Sequence, residues 1–300
     1  MKRITAVLLL GLSTLVTGAQ EKNQTLLWKI SGNGLEKPSY LFGTIHMLCK
    51  EDAYLSDNLV KAIQESDRVY LELDMDNLFE LMGVMTKMKM KNDTTLADLL
   101  SPEEYRITKK YFEEKISMLP FSVLETYKPM VASSMLMEQS MVCDQQVAME
   151  TLIMEEAKKN GKKIEGLETM AYQMSVFDSI PYRIQARELY KSIAGGEQAN
   201  NEATEQFKKM MDAYRAQDIN KLGEMITQSG DEMMQYEDIL LNNRNRNWVA
   251  KLKTLLPQKP LVIAVGAGHL PGTNGVIELL RKEGFKVKPV ENKSPRTREL

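Results

Sequence analysis

Apolar positions along the chain follow two spacings, and the order of those spacings predicts the architecture. Leu26 to Ile30 and Tyr40 to Ile45 are short apolar runs on either side of Gly32-Asn33-Gly34, a pattern that predicts a β-hairpin. Ser56 precedes a segment reaching about Glu65 with Leu59, Ala62 and Ile63 on one face, which predicts a capped helix. Val69 to Asp74 alternates as a strand does. A strand, a helix and a strand in this length predict a right-handed βαβ unit. From Asn77 to Lys159 the spacing is helical, with a helix start at Ser101-Pro102-Glu103-Glu104 and breaks at Pro120 and Pro129. Lys163 to Glu168 returns to strand. Thr169 to Leu255 is helical again, interrupted near Pro181 and near Gly195-Gly196. Leu261-Val262-Ile263-Ala264-Val265 is a continuous apolar run, the pattern of a strand covered on both faces. A helix from Gly275 to Glu283, stopped by Gly284, and a strand from Phe285 to Val290 complete the series.

This order predicts an α/β (α+β) fold: a mixed central sheet flanked by helices, with a large helical insertion over about 77–160 between the N-terminal and C-terminal sheet-forming parts. One domain over 20–291 accounts for all the elements. Residues 292–300 are polar and predict a frayed tail.

The N-terminus reads as an address. Met1-Lys2-Arg3 is basic, Ile4 to Val16 is mostly apolar, and Thr17-Gly18-Ala19 is small, the three-part pattern of a signal peptide over 1–19 with cleavage before Gln20. No later segment is long and apolar enough to cross a bilayer. The expected mature protein is exported, periplasmic or extracellular. Cys49 and Cys143 are the only cysteines, and in an oxidising compartment an isolated pair predicts a disulfide.

Composition narrows the chemistry. Hydrophobic residues make up 43% and charged residues 27%, a globular mixture, and the formal net charge is −2. Nucleic acid and an anionic membrane therefore lack an electrostatic reason to bind. The chain has 21 methionines, several of them in the helical stretches, where they serve as adaptable packing or as a malleable cover over a cleft.

Only two histidines occur, and both stand in one context. Gly43-Thr44-Ile45-His46 and Gly266-Ala267-Gly268-His269 each follow an apolar strand directly. A histidine just beyond a strand is often a structural hydrogen-bonder. Two sharing a Gly-x-x-His setting point instead to one site outside the carboxyl ends of the strands, with glycine permitting a tight turn. Imidazole pairs hold a catalytic metal when carboxylates complete the set. Glu72 and Glu168 sit at strand ends and are expected at the same sheet edge. Glu168 can equally be a carboxylate favouring a helix start, and Glu72 an exposed strand residue. Asn243-Arg244-Asn245-Arg246-Asn247 reads, by pattern, as a solvated helix face.

Together these segments resemble the TraB/GumN family, which includes Tiki-type metalloproteases. The resemblance runs from about Leu26 to Val290 through Tyr40-Leu41-Phe42-Gly43-Thr44-Ile45-His46, Val69-Tyr70-Leu71-Glu72-Leu73, Gly166-Leu167-Glu168-Thr169, Arg244-Asn245 with Trp248, and Val265-Gly266-Ala267-Gly268-His269-Leu270-Pro271-Gly272. Family spacing upstream of Gly166 points to Glu150. The resemblance implies a metal-dependent hydrolytic centre: His46 and His269 with glutamates among Glu72, Glu150 and Glu168 holding a divalent ion (manganese, cobalt or zinc). Glu72 or Glu168 would move the proton and Arg244 would stabilise the developing oxyanion, on a peptide or protein substrate. Relatives by fold include erythromycin esterase and haem- or iron-binding lipoproteins. Two other readings therefore stand beside hydrolysis: an exported metal- or haem-binding protein without catalysis, and a partner-binding protein that uses the helical insert.

Overall fold

The computed structural model describes residues 24–116, 119–139, 143, 145–227 and 232–295. The export segment expected at 1–19 and the tail residues 296–300 lie outside the described residues.

In chain order, the hairpin strands are β1 (Leu27–Ser31) and β2 (Ser39–Thr44), followed by the short β3 (Leu48–Cys49), α1 (Asp57–Glu65) and β4 (Arg68–Leu71). The helical insertion carries α2 (Leu78–Lys87), α3 (Leu96–Leu99), α4 (Pro102–Lys115), α5 (Phe121–Leu124), α6 (Pro129–Gln139), the short β5 (Gln146–Val147) and α7 (Met149–Lys159). Next come β6 (Lys163–Gly166) and the helices α8 (Met170–Asp178), α9 (Tyr182–Ala194), α10 (Gly196–Arg215), α11 (Ile219–Thr227) and α12 (Asn243–Leu255). The chain closes with β7 (Leu261–Gly266), α13 (Val276–Lys282) and β8 (Lys286–Val290). Local chemistry explains several starts. The Ser56 hydroxyl accepts from Leu59 N at α1, and Ser101 with Glu104 forms a capping box ahead of Pro102 at α4.

Six strands form one mixed sheet in the order β6-β4-β7-β2-β1-β8. The four from β6 to β2 are parallel, while β1 runs antiparallel to both β2 and β8. The strand with the most continuous apolar run, β7, is central. Val262, Ile263 and Ala264 are wholly buried there, and burial of a side chain such as Ile263 stabilises by about 1.5–3 kcal/mol. The expected strand–helix–strand unit β2-α1-β4 is present, but β7 lies between its two strands.

Two cores result. One joins the sheet to α1, α7, α12 and α13 through residues such as Ile63, Ile153, Trp248 and Leu280. The second is entirely helical: Leu96, Phe112, Phe121, Leu124, Ala132 and Leu189 meet between α3, α4, α5, α6 and α9. The middle of the insertion, α3 to α6, thus packs on itself with help from α9, while α7 joins the sheet core.

Asn292, the first residue of the expected tail, is tied to the fold. Its side chain is buried and donates to Gln217 Oε1 at 3.0 Å, and its carbonyl accepts from Tyr54 Oη at 3.2 Å and Gln217 Nε2 at 2.5 Å. A polar residue reads as tail in sequence, yet here its amide nitrogen and carbonyl hold the half-buried Gln217. Among the described residues no helix is long and apolar enough to cross a membrane.

Candidate active site

Four adjacent parallel strands end side by side. Thr44 of β2 pairs with Gly266 of β7, and Leu71 of β4 pairs with Ala264 of β7 and with Gly166 of β6. His46, His269, Glu72 and Glu168 follow these four ends within a few residues, so the sheet register alone brings them to one edge.

The motif glycines act through space. Neither Gly43 nor Gly266 has positive φ, contrary to the expected tight turn. A Cβ at Gly43 would lie 2.8 Å from Leu270 Cδ1 and 3.2 Å from Ala267 Cα, so the first motif packs directly against the second. A Cβ at Gly266 would lie 3.2 Å from Glu72 Oε1, 3.7 Å from His269 Cδ2 and 3.9 Å from His46 Nε2. The space above Gly266 is therefore where the two imidazoles and Glu72 converge. A methyl placed there by Gly266→Ala would have to displace Glu72 or the imidazoles.

Each histidine is held from its Nδ1 side. His46 Nδ1 lies 2.9 Å from Glu150 Oε1, which also accepts from Thr44 Oγ1 at 2.6 Å. The His46 side chain is 69% exposed, and its Glu150 partner holds it above the ordinary histidine pKa, with water screening part of that pull. His269 is 6% exposed, and its Nδ1 lies 2.6 Å from Asn245 Oδ1. Burial pushes His269 down to about 4, against the pull of Glu72, so its imidazole is neutral at neutral pH.

Arg244 joins the two carboxylates. Its Nη2 donates to Glu72 Oε2 at 2.5 Å and Glu168 Oε1 at 2.7 Å, and its Nη1 lies 3.3 Å from His269 Nε2. Glu168 Oε2 also accepts from Trp248 Nε1 at 3.0 Å, and the Trp248 ring packs on His269 at 4.5 Å between centroids. Glu72 Oε1 accepts the Gly266 N–H at 2.8 Å and lies 3.9 Å from His269 Nε2. The two carboxyls diverge. For Glu72, burial disfavours the charge, but His269, Arg244 and His46 outweigh it and hold the group well below the usual carboxylate range. For Glu168, burial wins over Arg244, and the charge of Glu72 adds to it, so the group is raised.

The whole core of this arrangement falls inside a recognised pattern. Residues 26–289 match the TraB/PrgY/gumN family. The chain belongs to that family. It is also similar to "Metalloprotease TIKI2" of Danio rerio, at 21% identity over 92% of this chain and 63% of that protein. "Metalloprotease TIKI1" of Homo sapiens is 23% identical over 89% of this chain and 62% of that protein. The chain thus spans less than two thirds of these relatives' length. No solved structure matches.

The donor types of this TraB/PrgY/gumN chain fit a divalent ion. With Nδ1 held by an acceptor on each ring, Nε2 of both rings faces the site beside Glu72 Oε1, although Arg244 Nη1 already stands 3.3 Å from that of His269. Glu150 Oε2 is buried without a hydrogen-bond partner, a further oxygen donor beside His46. Among the described residues, however, no three of His, Cys, Asp and Glu are grouped so as to hold a metal. Arg244 instead pairs with Glu72 and Glu168 and faces His269 Nε2. Of the five expected ligands, His46, His269 and Glu72 face one another across Gly266. Glu150 stands behind His46, and Glu168 is engaged by Arg244 and Trp248.

The expected solvated face holds for Asn243, Arg246 and Asn247, which are exposed, but not for Arg244 and Asn245, which are buried. A usable signal existed. The apolar face of α12 runs through Trp248, Val249 and Leu252, and stepping back one helical turn lands on Arg244 and Asn245. Polar residues at inward positions mark groups held for a purpose. A single π-helical turn, Asp238–Asn242, leads into this helix.

Cys49 and Cys143 form a disulfide with Cα atoms 5.7 Å apart. Beside it Leu48 pairs with Val147 and Cys49 with Gln146, so the bond ties the segment carrying His46 to the segment leading to Glu150. Cys49→Ser with Cys143→Ser is expected to cost about 2–4 kcal/mol of stability in denaturant titrations. An unchanged midpoint would contradict a stabilising cross-link.

Proposed function

We propose that this chain is an exported, metal-dependent hydrolase that cleaves peptide bonds. The observation that carries the reading is the convergence of His46, His269 and Glu72 above Gly266, at the carboxyl ends of adjacent parallel strands. The similarity to proteins named metalloproteases supports it.

His46 Nε2, His269 Nε2 and Glu72 Oε1 would hold the ion: manganese, cobalt or zinc. When bound, the ion supplies Lewis acidity, polarising a peptide carbonyl and making water nucleophilic at neutral pH. The chain's own groups divide the remaining work. Glu150 and Thr44 orient His46. Glu72 stays ionised under Arg244. The two carboxyls share one guanidinium and are shifted in opposite directions, which supports Glu72 as the permanent anion and Glu168 as the proton-transferring group. Arg244 places a fixed positive charge where a carbonyl oxygen would become negative. Calorimetric titration of manganese, cobalt and zinc into metal-free protein tests the ligand set. A single ion is expected per chain, with affinity lost in His46→Ala, His269→Ala and Glu72→Gln. Full binding by all three variants would overturn it.

Export rests on the N-terminal pattern, and the disulfide agrees with an oxidising compartment. Mass spectrometry of the exported protein is expected to find Gln20 at the N-terminus. A soluble cytoplasmic protein starting at Met1 would contradict it. A non-catalytic metal carrier is the second reading, favoured by the saturation of Glu168 by Arg244 and Trp248. It requires the same histidines and no proton-transferring carboxyl.

A further inference from the structure

Two groups with fixed hydrogen-bonding character face the two nitrogens of His269. On one side, Asn245 Nδ2 donates to the Asn274 carbonyl at 2.9 Å. A carbonyl only accepts, so the amide nitrogen must turn toward Asn274 and Oδ1 toward His269. Oδ1 also only accepts, and it lies 2.6 Å from Nδ1. The proton therefore belongs on Nδ1. On the other side, Arg244 Nη1 lies 3.3 Å from Nε2. A guanidinium only donates, so Nε2 must present a lone pair. Both constraints select the same tautomer, and Trp248 packed on the ring restricts its rotation.

We propose that Asn245 is a positioning residue that locks His269 in the Nδ1–H tautomer and so presents an unprotonated Nε2 to the sheet edge. The role is built into the fold: Asn245 is 2% exposed on α12, and its anchor, Asn274, lies in the loop that follows His269. One amide thus ties the helix before β7 to the loop after it, with the imidazole between them. The consequence for metal affinity rests on the reading above, whereas the tautomer does not. Asn245 also borders a cavity of about 430 Å³ lined by Gly268, Asn274 and Glu224. Truncation to alanine would admit water to Nδ1, so leucine is the informative replacement.

The test uses nitrogen-15 labelled imidazoles in metal-free full-length protein. The chain has only two histidines, so two ring systems appear, and His46→Gln assigns them. Wild type is expected to show His269 with a proton on Nδ1 and none on Nε2. Asn245→Leu is expected to bring Nε2–H into the population. In manganese titrations the same variant should bind about 10–100-fold more weakly. Asn245→Asp, which keeps an acceptor facing Nδ1 but loses the donor to the Asn274 carbonyl, should recover part of that loss. A protonated Nε2 in wild type overturns the proposal, as does a folded Asn245→Leu protein that keeps the wild-type tautomer. Should the leucine variant fail to fold, the wild-type spectrum alone decides. A wild type with the expected tautomer but no metal binding would sink the metal reading and leave the role of Asn245 standing.

Discussion

Glu168→Gln is expected to lower peptide hydrolysis about 10²–10⁴-fold, the range lost when general acid–base catalysis is removed. Metal content should stay close to wild type. The argument begins with the pair of carboxyls that share Arg244. Glu72 is pulled well below the ordinary carboxylate range, while burial raises Glu168 above it. Glutamine keeps the size of the side chain and an oxygen that still accepts from Arg244 or Trp248. What it removes is the capacity to take up and release a proton. Glu72→Gln should behave differently, losing metal and hydrolysis together. Initial rates on a mixed peptide substrate, read beside metal content and thermal melts, separate the two. A Glu168→Gln enzyme with wild-type turnover would remove Glu168 from the chemistry. A Glu72→Gln protein with full metal and full activity would remove the division of roles altogether.

Arg244→Met is expected to destabilise the fold by about 3–5 kcal/mol, the usual consequence of deleting one partner of a buried ion pair. Methionine can fill much of the space, so the penalty is mainly electrostatic. Glu72 and Glu168 would remain buried with no cation between them, and Trp248 would lose the guanidinium stacked 4.8 Å from its ring centre. The sign of the pH dependence follows. With the cation gone, both carboxyls in the folded variant lose a pull toward the ionised form, so their pKa values rise relative to wild type and protonation at lower pH relieves part of the loss. The difference from wild type should therefore be larger at pH 8 than at pH 5. Adding Glu168→Gln to Arg244→Met should recover part of the loss, because one of the two stranded charges is gone. Denaturant titrations at both pH values measure this. A penalty below about 1 kcal/mol, typical of an exposed pair, would mean that Arg244 is not the cation that holds the carboxylates together.

Much of this site was legible because two of its parts are written locally. A continuous apolar run followed by Gly-x-x-His marks the end of a buried strand, and both copies stand at the ends of adjacent parallel strands, β2 and β7. Glu72 and Glu168 followed from the same rule. What sequence spacing does not carry is strand order. Nothing local says that β7, late in the chain, inserts between β2 and β4, yet that insertion brings His269 beside Glu72. The Arg244 segment was misread because its charges and amides look solvated when its helix is read without the apolar face that continues from Trp248. Glu150 was reached through family spacing and not from its helix. Its place behind His46 depends on the short β3–β5 pairing and the Cys49–Cys143 bond, which are long-range contacts. The reason for the motif glycines was also hidden, since contact between the two loops, not backbone sign, excludes a side chain.

The central claim is that His46 and His269 serve one metal-dependent peptide hydrolysis. Its most direct test is cleavage of a mixed peptide library by the mature, disulfide-bonded protein, with and without chelator, on readdition of manganese, cobalt or zinc. The account predicts cleavage that disappears with chelator, returns with one of these ions, and is absent from both His46→Ala and His269→Ala. Cleavage that survives chelation or either histidine substitution would contradict it, as would an ion-loaded wild type that cleaves nothing in the library.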